Sequence, residues 1–461
     1  MNRIIGAVLL VLMGLVVLRE WTPDSPWLAG MRVLAVIALL ALVTPLVQRG
    51  RQAFVAVALT LSVLLLTTQT GSATQTLARA FDSAAFIGAY FCALSTLQFA
   101  ASRAETVRQA GQFLATQPPG RRYLALTFGT QLFAFLLNYG SISLLGTLAS
   151  ANAEQEKDAE IRFHRTRRML IAIQRGFISV LPWSPLSFAV AVTVSLLPGL
   201  SWATIVLPSL VSSLILAGVG WALDTLFKPR LSHPPKRADP VGTWRALAPL
   251  ALLFVALSAL VSLLYGLTEV RIVGIVLVVV PVIALIWLRL QERGKVESTT
   301  LRGDVTQLAF TEYPGYRSEL VLLMMAGFIG TVAAPLLLPL LGGVTQALSM
   351  LPGWVTLVAL VWLIPLGGQL GMNPILVVTM LVPLLPAAET LGVTPAAMAV
   401  ALTGGWALSG ATSPFTATTV LIGSMGGVTP RHVGLRWNGA YALVTGGILS
   451  GWVVLFSALS G

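Results

Sequence analysis

Ser184-Pro185-Leu186-Ser187 and Ser413-Pro414-Phe415-Thr416 are two copies of one pattern, a Ser-Pro pair inside an apolar run, set 229 residues apart. Each is trailed by a turn, Pro198-Gly199-Leu200-Ser201 in the first copy and Gly426-Gly427-Val428-Thr429 in the second. The same offset pairs Met169 with Met398 and Gly176 with Gly405, so the similarity extends upstream of the motif, before a one-residue slip in the turn. An internal duplication is the economical reading. One Ser-Pro pair by itself reads as a packing kink whose hydroxyl bonds back to the preceding turn. Two at a fixed offset read as a repeated functional break.

The chain of 461 residues is 56% hydrophobic and only 10% charged, with a mean hydropathy of +0.85. That is too little polar surface to coat a soluble globule, and the composition predicts a polytopic membrane protein. The apolar run Ile4 to Leu18 follows Arg3 as a signal peptide would. Arg19-Glu20-Trp21 offers no small-residue cleavage site, however, so it is read as a retained first helix. The net charge of +12 sits in short loops between apolar runs, where positive-inside topology accounts for it, and no nucleic-acid partner is expected. The single cysteine, Cys92, excludes an intramolecular disulfide and a multi-cysteine metal site. His164, His233 and His432 lie in polar segments, and no metalloprotease motif or phosphate-binding loop is present. Neither a catalytic residue, a resident metal nor a cofactor is expected.

Apolar runs of about 20 residues mark eleven spans, at 3–21, 28–47, 53–70, 83–101, 169–197, 203–223, 246–266, 271–290, 319–341, 397–425 and 439–459. With the N-terminus in the cytoplasm, Arg49 and Arg51, Arg103 to Arg122, Lys157 to Arg168, Lys228 to Arg245 and Arg289 to Arg317 all fall inside. The loops around Pro23-Asp24, Gly71-Ser72, Pro198-Gly199 and Gly342-Gly343 carry little or no positive charge and fall outside. This orientation implies a multi-pass protein of the cell inner membrane with its C-terminus in the periplasm.

The segment Tyr123 to Ala149 is apolar but flanked by basic residues on both sides, so it is expected to enter and leave on the cytoplasmic face as a re-entrant hairpin turning at Asn138-Tyr139-Gly140-Ser141. A full span with exceptional loop charges is the alternative. Between Arg317 and Arg431 there is no Lys or Arg, and Thr356 to Ala388 is interrupted by Gly367-Gly368-Gln369-Leu370-Gly371-Met372-Asn373-Pro374, the expected tip of a second hairpin entering from outside. The predicted organisation is an all-α membrane protein with about eleven transmembrane helices and two hairpins in two inverted-topology repeats. The predicted parts are an N-terminal helix at 1–27, a first repeat at 28–223 (hairpin 123–150, broken helix 169–197), a basic linker at 224–245 and a second repeat at 246–461 (hairpin 354–390, broken helix 397–425).

In hydrocarbon an unpaired backbone group costs several kcal/mol, so irregular backbone persists only where protein, water or a ligand satisfies it. Inverted repeats bring two tips and two breaks together near the midplane, where half-helix N-termini face an anion and freed carbonyls face a cation. The candidate substrate-binding residues are therefore Asn138, Tyr139, Gly140 and Ser141 at the first tip, and Gly368, Asn373 and Pro374 at the second. Ser184, Pro185 and Ser187 join them from the first break, and Thr412, Ser413, Pro414 and Thr416 from the second. Na⁺ is a candidate coupling ion near Asn138, Ser184, Asn373 and Ser413, with H⁺ the alternative. Arg175, beside Gln174, is either an anion contact two turns inside the fifth span or a side chain that snorkels to the interface. Asp82 and Glu389 lie near the outer ends of their segments and read as structural or solvated. With no carboxylate or histidine near the four tips, a protein-borne proton relay is disfavoured.

The two Ser-Pro segments, their Gly-Val-Thr-Pro-type turn and the hairpin pattern resemble the ion transporter superfamily, which includes divalent anion/sodium symporters and four-carbon dicarboxylate carriers. The resemblance in architecture covers residues 28 to 459. It implies a homodimer in which a scaffold (spans one to four and seven to nine) supports a mobile part (123–223 and 354–459) that moves as an elevator. Where the dicarboxylate symporters carry Ser-Asn-Thr in both hairpins, this chain has Asn138-Tyr139-Gly140-Ser141 and Met372-Asn373-Pro374-Ile375, so dicarboxylate recognition does not carry over. The expected function is secondary transport of a small organic anion, with membrane lipids as the surrounding partner. A cation/proton antiporter, a lipid flippase and a membrane-embedded lipid-headgroup enzyme are the alternatives.

Overall fold

A computed structural model describes every residue except 23–24, 70, 230–231, 233–241, 269, 293–299 and 461. The Pro23-Asp24 loop and most of the predicted basic linker thus lie outside the described residues. Those described form helices and turns, with no strand among them. In chain order the first helices are α1 (Asn2–Trp21), α2 (Pro26–Val43), α3 (Arg49–Thr68), α4 (Ala73–Ser102) and α5 (Glu105–Ala115). Next come α6 (Arg122–Leu137), α7 (Gly140–Glu154), α8 (Ala159–Ile178), α9 (Phe188–Leu196) and α10 (Trp202–Leu226). The second half has α11 (Ala248–Leu267), α12 (Ile272–Glu292), α13 (Leu301–Gln307), α14 (Tyr313–Gly315) and α15 (Arg317–Met350). It ends with α16 (Gly353–Gln369), α17 (Pro374–Leu381), α18 (Pro395–Thr412), α19 (Ala417–Gly426) and α20 (Gly439–Ser460).

Nine of the described helices are long and apolar enough to cross a bilayer. The eleven expected spans resolve into these nine and the two broken ones, α8 with α9 and α18 with α19, in which no single helix runs through. The chain is an all-α polytopic membrane protein. The loop expected at Gly342-Gly343 is absent, because α15 continues to Met350. Two glycines cost a helix only about 1 kcal/mol each, whereas Pro352 disfavours helical backbone at Leu351 and ends it.

Two compact units are interleaved along the chain. Unit 1 comprises 1–100, 257–348 and 375–386, and unit 2 comprises 101–256, 349–374 and 387–461. Unit 2 thus gathers both Ser-Pro breaks, the whole first hairpin and the first helix of the second, while α17 belongs to unit 1. The division differs from the scaffold and mobile parts that the resemblance implies at 375–386, which falls in unit 1, and at 246–256, the first half of the expected seventh span, which falls in unit 2. It cuts across the two sequence repeats, since each repeat contributes to both units.

In unit 1, Asp82 of α4 accepts from Nε of Arg32 at 2.9 Å, and Arg32 on α2 is only 1% exposed. Arg19 lies 3.7 Å from the same carboxylate. Asp82 therefore holds a buried guanidinium in the apolar interior, where losing one partner of such a pair costs several kcal/mol.

Unit 2 is organised around α8 and α18. Every residue of α8 from Met169 to Ile178 is buried, and so is every residue of α18 from Ala397 to Thr412. Small residues let the neighbouring backbones approach closely. A Cβ on Gly405 would stand 2.7 Å from the carbonyl oxygen of Val361 on α16, and one on Gly176 would meet the carbonyl oxygen of Thr127 on α6 still more closely. The two glycines related by the sequence repeat thus do the same packing job, each seating a broken helix against a hairpin helix. Caps fix where the broken helices begin. Asp158 accepts from the amides of Glu160 and Ile161, and Thr394, followed by Pro395 at the first helical position, accepts from Ala397.

The hairpin helices are short. α6 and α7 have 16 and 15 residues, or about 24 and 22 Å at 1.5 Å per residue. Asn138 joins them with φ +48° and ψ −130°, the one described non-glycine residue with a positive φ. Its carbonyl accepts from the Ser141 hydroxyl at 2.7 Å. After α16, Gly371 turns the chain with φ +88°, and Met372 N closes the turn on Gly367 O at 3.1 Å.

Candidate functional site

In each break the proline of the Ser-Pro pair lacks the N–H that a helical hydrogen bond would need. At the second break Pro414 frees the carbonyl of Gly410, four residues back. Gly410 O instead accepts from Gln174 Nε2 of α8 at 3.3 Å and from the hydroxyl of Thr418. Ala411 O accepts from the same Gln174 nitrogen at 3.4 Å, and Thr412 O from Gln369 Nε2 of α16 at 3.0 Å. Side-chain amides from two other helices therefore satisfy three successive carbonyls. Ser413 O is taken by Thr419 Oγ1 at 2.6 Å and Thr416 Oγ1 at 3.0 Å.

The first break repeats the logic with local partners. Pro185 frees Leu181 O, which accepts from Ser187 Oγ at 2.7 Å. Ser187 also caps α9 by accepting from Val190 N at 3.2 Å. The serine of each Ser-Pro pair accepts from the amide two residues on, Leu186 N to Ser184 Oγ at 3.2 Å and Phe415 N to Ser413 Oγ at 3.3 Å. The duplication is therefore structural as well as sequential. The breaks differ in length, with nine residues (179–187) between α8 and α9 and four (413–416) between α18 and α19.

The two breaks also touch. A Cβ on Gly410 would lie 3.0 Å from Ile178 and 3.7 Å from Leu181, so the end of α8 packs on α18 one turn before Ser413. The tip of α16 closes on the same place. Ser413 Oγ donates to Gly368 O at 2.7 Å, and a Cβ on Gly368 would stand 2.5 Å from Ser409 Oγ. Ser409 is fully buried, and its hydroxyl has no partner among the described residues. Trp183 Nε1, in the first break, is likewise buried without one.

Gly368, Thr412, Ser413, Pro414 and Thr416 thus form one cluster, and Ser184, Pro185 and Ser187 a second, in contact through Gly410 and Leu181. Asn138 is half-buried, Ser141 is buried, and Tyr139, beside Gly140, stacks on Phe177 of α8 at 5.0 Å. Asn373 is half-buried and Pro374 buried beyond the α16 tip. Glu389 is exposed. Among the described residues no group of His, Cys, Asp and Glu is placed to hold a metal.

Arg175 is 5% exposed and points into protein. Nε donates to Asn438 Oδ1 at 3.1 Å, NH1 to the Tyr123 hydroxyl at 3.2 Å and to Gly220 O at 3.4 Å, and NH2 to Trp437 O at 3.4 Å. Its guanidinium carbon lies 4.1 Å from the ring centre of Tyr441, a cation–π contact. Asn438 Nδ2 donates in turn to Gln174 Oε1 at 2.9 Å. A chain from Arg175 through Asn438 and Gln174 therefore ends on the freed carbonyls of the second break. Sequence reasoning left out Ser409, Gln369 and Asn438 as site residues. The Ser409-x-x-x-Ser413 spacing, which puts two hydroxyls on one helix face, is a readable signal for the first. Asn438 has none, because its role depends on α20 lying against α8.

The class this geometry defines is a polytopic membrane protein built around two hairpin-and-broken-helix motifs. No protein-family model matches the sequence, and no curated protein does. Among solved structures, the chain is similar to the YdaH transporter of Alcanivorax borkumensis, described as having an unusual topology. The TM-score is 0.61 at 17% identity, covering 88% of this chain and 99% of that one. It is also similar to MtrF of Neisseria gonorrhoeae, described as representing a class of antimetabolite efflux pumps. There the TM-score is 0.57 at 13% identity, over 89% of this chain and 95% of that one. The chain shares the fold of these transporters.

Proposed function

We propose that the protein is a secondary active transporter that carries a small organic anion across the inner membrane, coupled to Na⁺ or H⁺. The observation that carries this reading is the buried Ser409 hydroxyl, unpartnered among the described residues, beside Ser413 and the Gly368 tip, at the contact of two duplicated helix breaks. A buried orphaned hydroxyl costs about 1–3 kcal/mol, which a bound cargo offsets. At the start of α19 the Thr416 side chain caps none of the helix amides, and the dipole there favours negative charge. The likeness of fold to YdaH and MtrF supports transport, and the description of MtrF makes export a direction to test. The narrower kinship with divalent anion symporters, the homodimer, the elevator motion of unit 2 and the cytoplasmic N-terminus belong to the same proposal.

An antiporter of the same fold needs a buried titratable carboxylate, and the sequences of α6, α9, α16, α18, α19 and α20 contain none. The test is electrogenic or radiotracer transport by purified protein in liposomes. Small carboxylates, sulfonates and phosphonates are offered with and without a Na⁺ gradient, for wild type, Ser409→Ala and Ser413→Ala. Transport of one anion, at least tenfold weaker in both variants, is the expected result. Equal transport by all three proteins would refute the assignment of the site, and no transport of any anion would refute the cargo class.

A further inference from the structure

Unit 2 contains a cavity of about 210 Å³ between the start of α6, the first turns of α8 and the end of α10. It touches none of the residues of the two breaks. Four cations line it, Arg122, Arg165, Arg168 and Lys228, against one carboxylate, Asp224. That carboxylate is already engaged, since Arg168 grips both of its oxygens at 2.8 and 2.6 Å. Among the described residues the remaining cations have no acid lining the cavity, and the carboxylate that acts on Arg165, Glu156, is not among the lining residues. Arg122 donates through Nε to Gln117 O at 2.7 Å, Arg165 donates to the Asn152 side-chain oxygen, and the Nε of Arg165 is buried with no partner among the described residues. Burial, and then repulsion from Arg165 and Arg168, pushes the Arg122 guanidinium down to about 10.

A fold that confines like charges at partly buried positions is destabilised by their repulsion and desolvation. An oxyanion placed among them removes both penalties, and guanidinium forks match phosphate oxygens two at a time. The setting favours a group at a membrane surface. The cavity lies where basic flanks mark the cytoplasmic end of α6 and α8, and Trp221 on its rim is 42% exposed, as an indole at a headgroup layer is. Its wall also reaches the network described above, because Tyr123 lines the cavity and accepts from Arg175.

We propose that this cavity binds a phosphate group, presented by an anionic phospholipid headgroup or as free phosphate, and that the bound group ties together the cytoplasmic ends of α6, α8 and α10. The site is independent of the transported anion, so its test does not depend on finding the cargo. Delipidated full-length protein in neutral detergent is titrated with inorganic phosphate at constant ionic strength, followed by its unfolding temperature. In parallel, retention of phosphatidylglycerol against phosphatidylcholine is counted by native mass spectrometry. Saturable binding in either arm is expected, weakened at least tenfold in Arg122→Gln and in Arg165→Gln and unchanged in Arg108→Gln, whose exposed pair with Glu105 lies on α5 away from the cavity. Binding of phosphate alone identifies a soluble ligand, and retention of phosphatidylglycerol alone identifies a lipid. Should Arg165→Gln fail to fold, Arg122→Gln and Arg122→Lys carry the test, the lysine keeping the charge but losing the fork. Absence of saturable binding in both arms, or binding indifferent to the Arg122 variants, overturns the proposal.

Discussion

Ser409 and Ser413 stand one helical turn apart, yet their removal is expected to move stability in opposite directions. Ser409 Oγ is buried without a partner among the described residues, so Ser409→Ala removes a polar atom that costs about 1–3 kcal/mol while unpaired. The unliganded protein is expected to be as stable as wild type or more so by up to that amount. Ser413 Oγ donates to Gly368 O and accepts from Phe415 N. Ser413→Ala leaves the Gly368 carbonyl with the Gly371 amide alone, at 3.3 Å, and takes the side-chain acceptor from Phe415 N, a loss of about 1–3 kcal/mol. The gap between the two variants is then about 1–6 kcal/mol. Unfolding entropy of about 2 cal/mol/K per residue gives roughly 1 °C per kcal/mol for a chain of this length. The expected difference in apparent Tm is thus about 1–6 °C, with Ser409→Ala the higher. Both are measured in one detergent at one scan rate, because irreversible unfolding makes Tm depend on the rate. Equal losses in the two variants would refute the argument, since they would mean that the Ser409 hydroxyl is satisfied in the native protein.

Gly405→Ala and Gly176→Ala drive a Cβ into the carbonyls of Val361 and Thr127 and are expected to destabilise by about 1–3 kcal/mol. Gly218→Ala and Gly447→Ala, with nothing within 4 Å, are expected to gain about 1 kcal/mol, and thermal unfolding that ranks the four alike would contradict the packing described. Arg175→Lys keeps the charge but loses the fork that reaches Asn438, Tyr123 and Trp437, and is expected to cost about 2–4 kcal/mol. An unaltered Tm would show that those bonds contribute nothing. In a Cys92→Ala background, Arg121→Cys is expected to react with a membrane-impermeant thiol reagent only from the cytoplasmic side, and Pro198→Cys and Glu389→Cys only from outside. All three positions are exposed and Cys92 is buried, so labelling of Arg121→Cys from outside would invert the topology.

The class of protein, the positions of nearly all its helices and the existence of two paired breaks are written locally in the sequence. Long apolar runs have one stable solution in a bilayer, proline forbids a specific helical bond wherever it falls, and a duplication shows itself by register. Residues matched at one offset, Gly176 with Gly405 and Ser184 with Ser413, proved to make matching contacts. The end of α15 was misplaced because a pair of glycines weakens a helix without ending it, and the signal that does end it, Pro352, lies ten residues further on. Only the tertiary structure decided how the breaks are satisfied. Local partners serve the first, but the second depends on Gln174 and Gln369, which stand 236 and 43 residues from the carbonyls they serve. No spacing rule links such positions, because hydrogen-bond satisfaction in an apolar interior is a property of which helices lie side by side. The same reason turned Arg175 into the head of a buried network and left Ser409, an ordinary serine in an apolar helix by sequence, as a hydroxyl unpaired among the described residues at the centre of the candidate site.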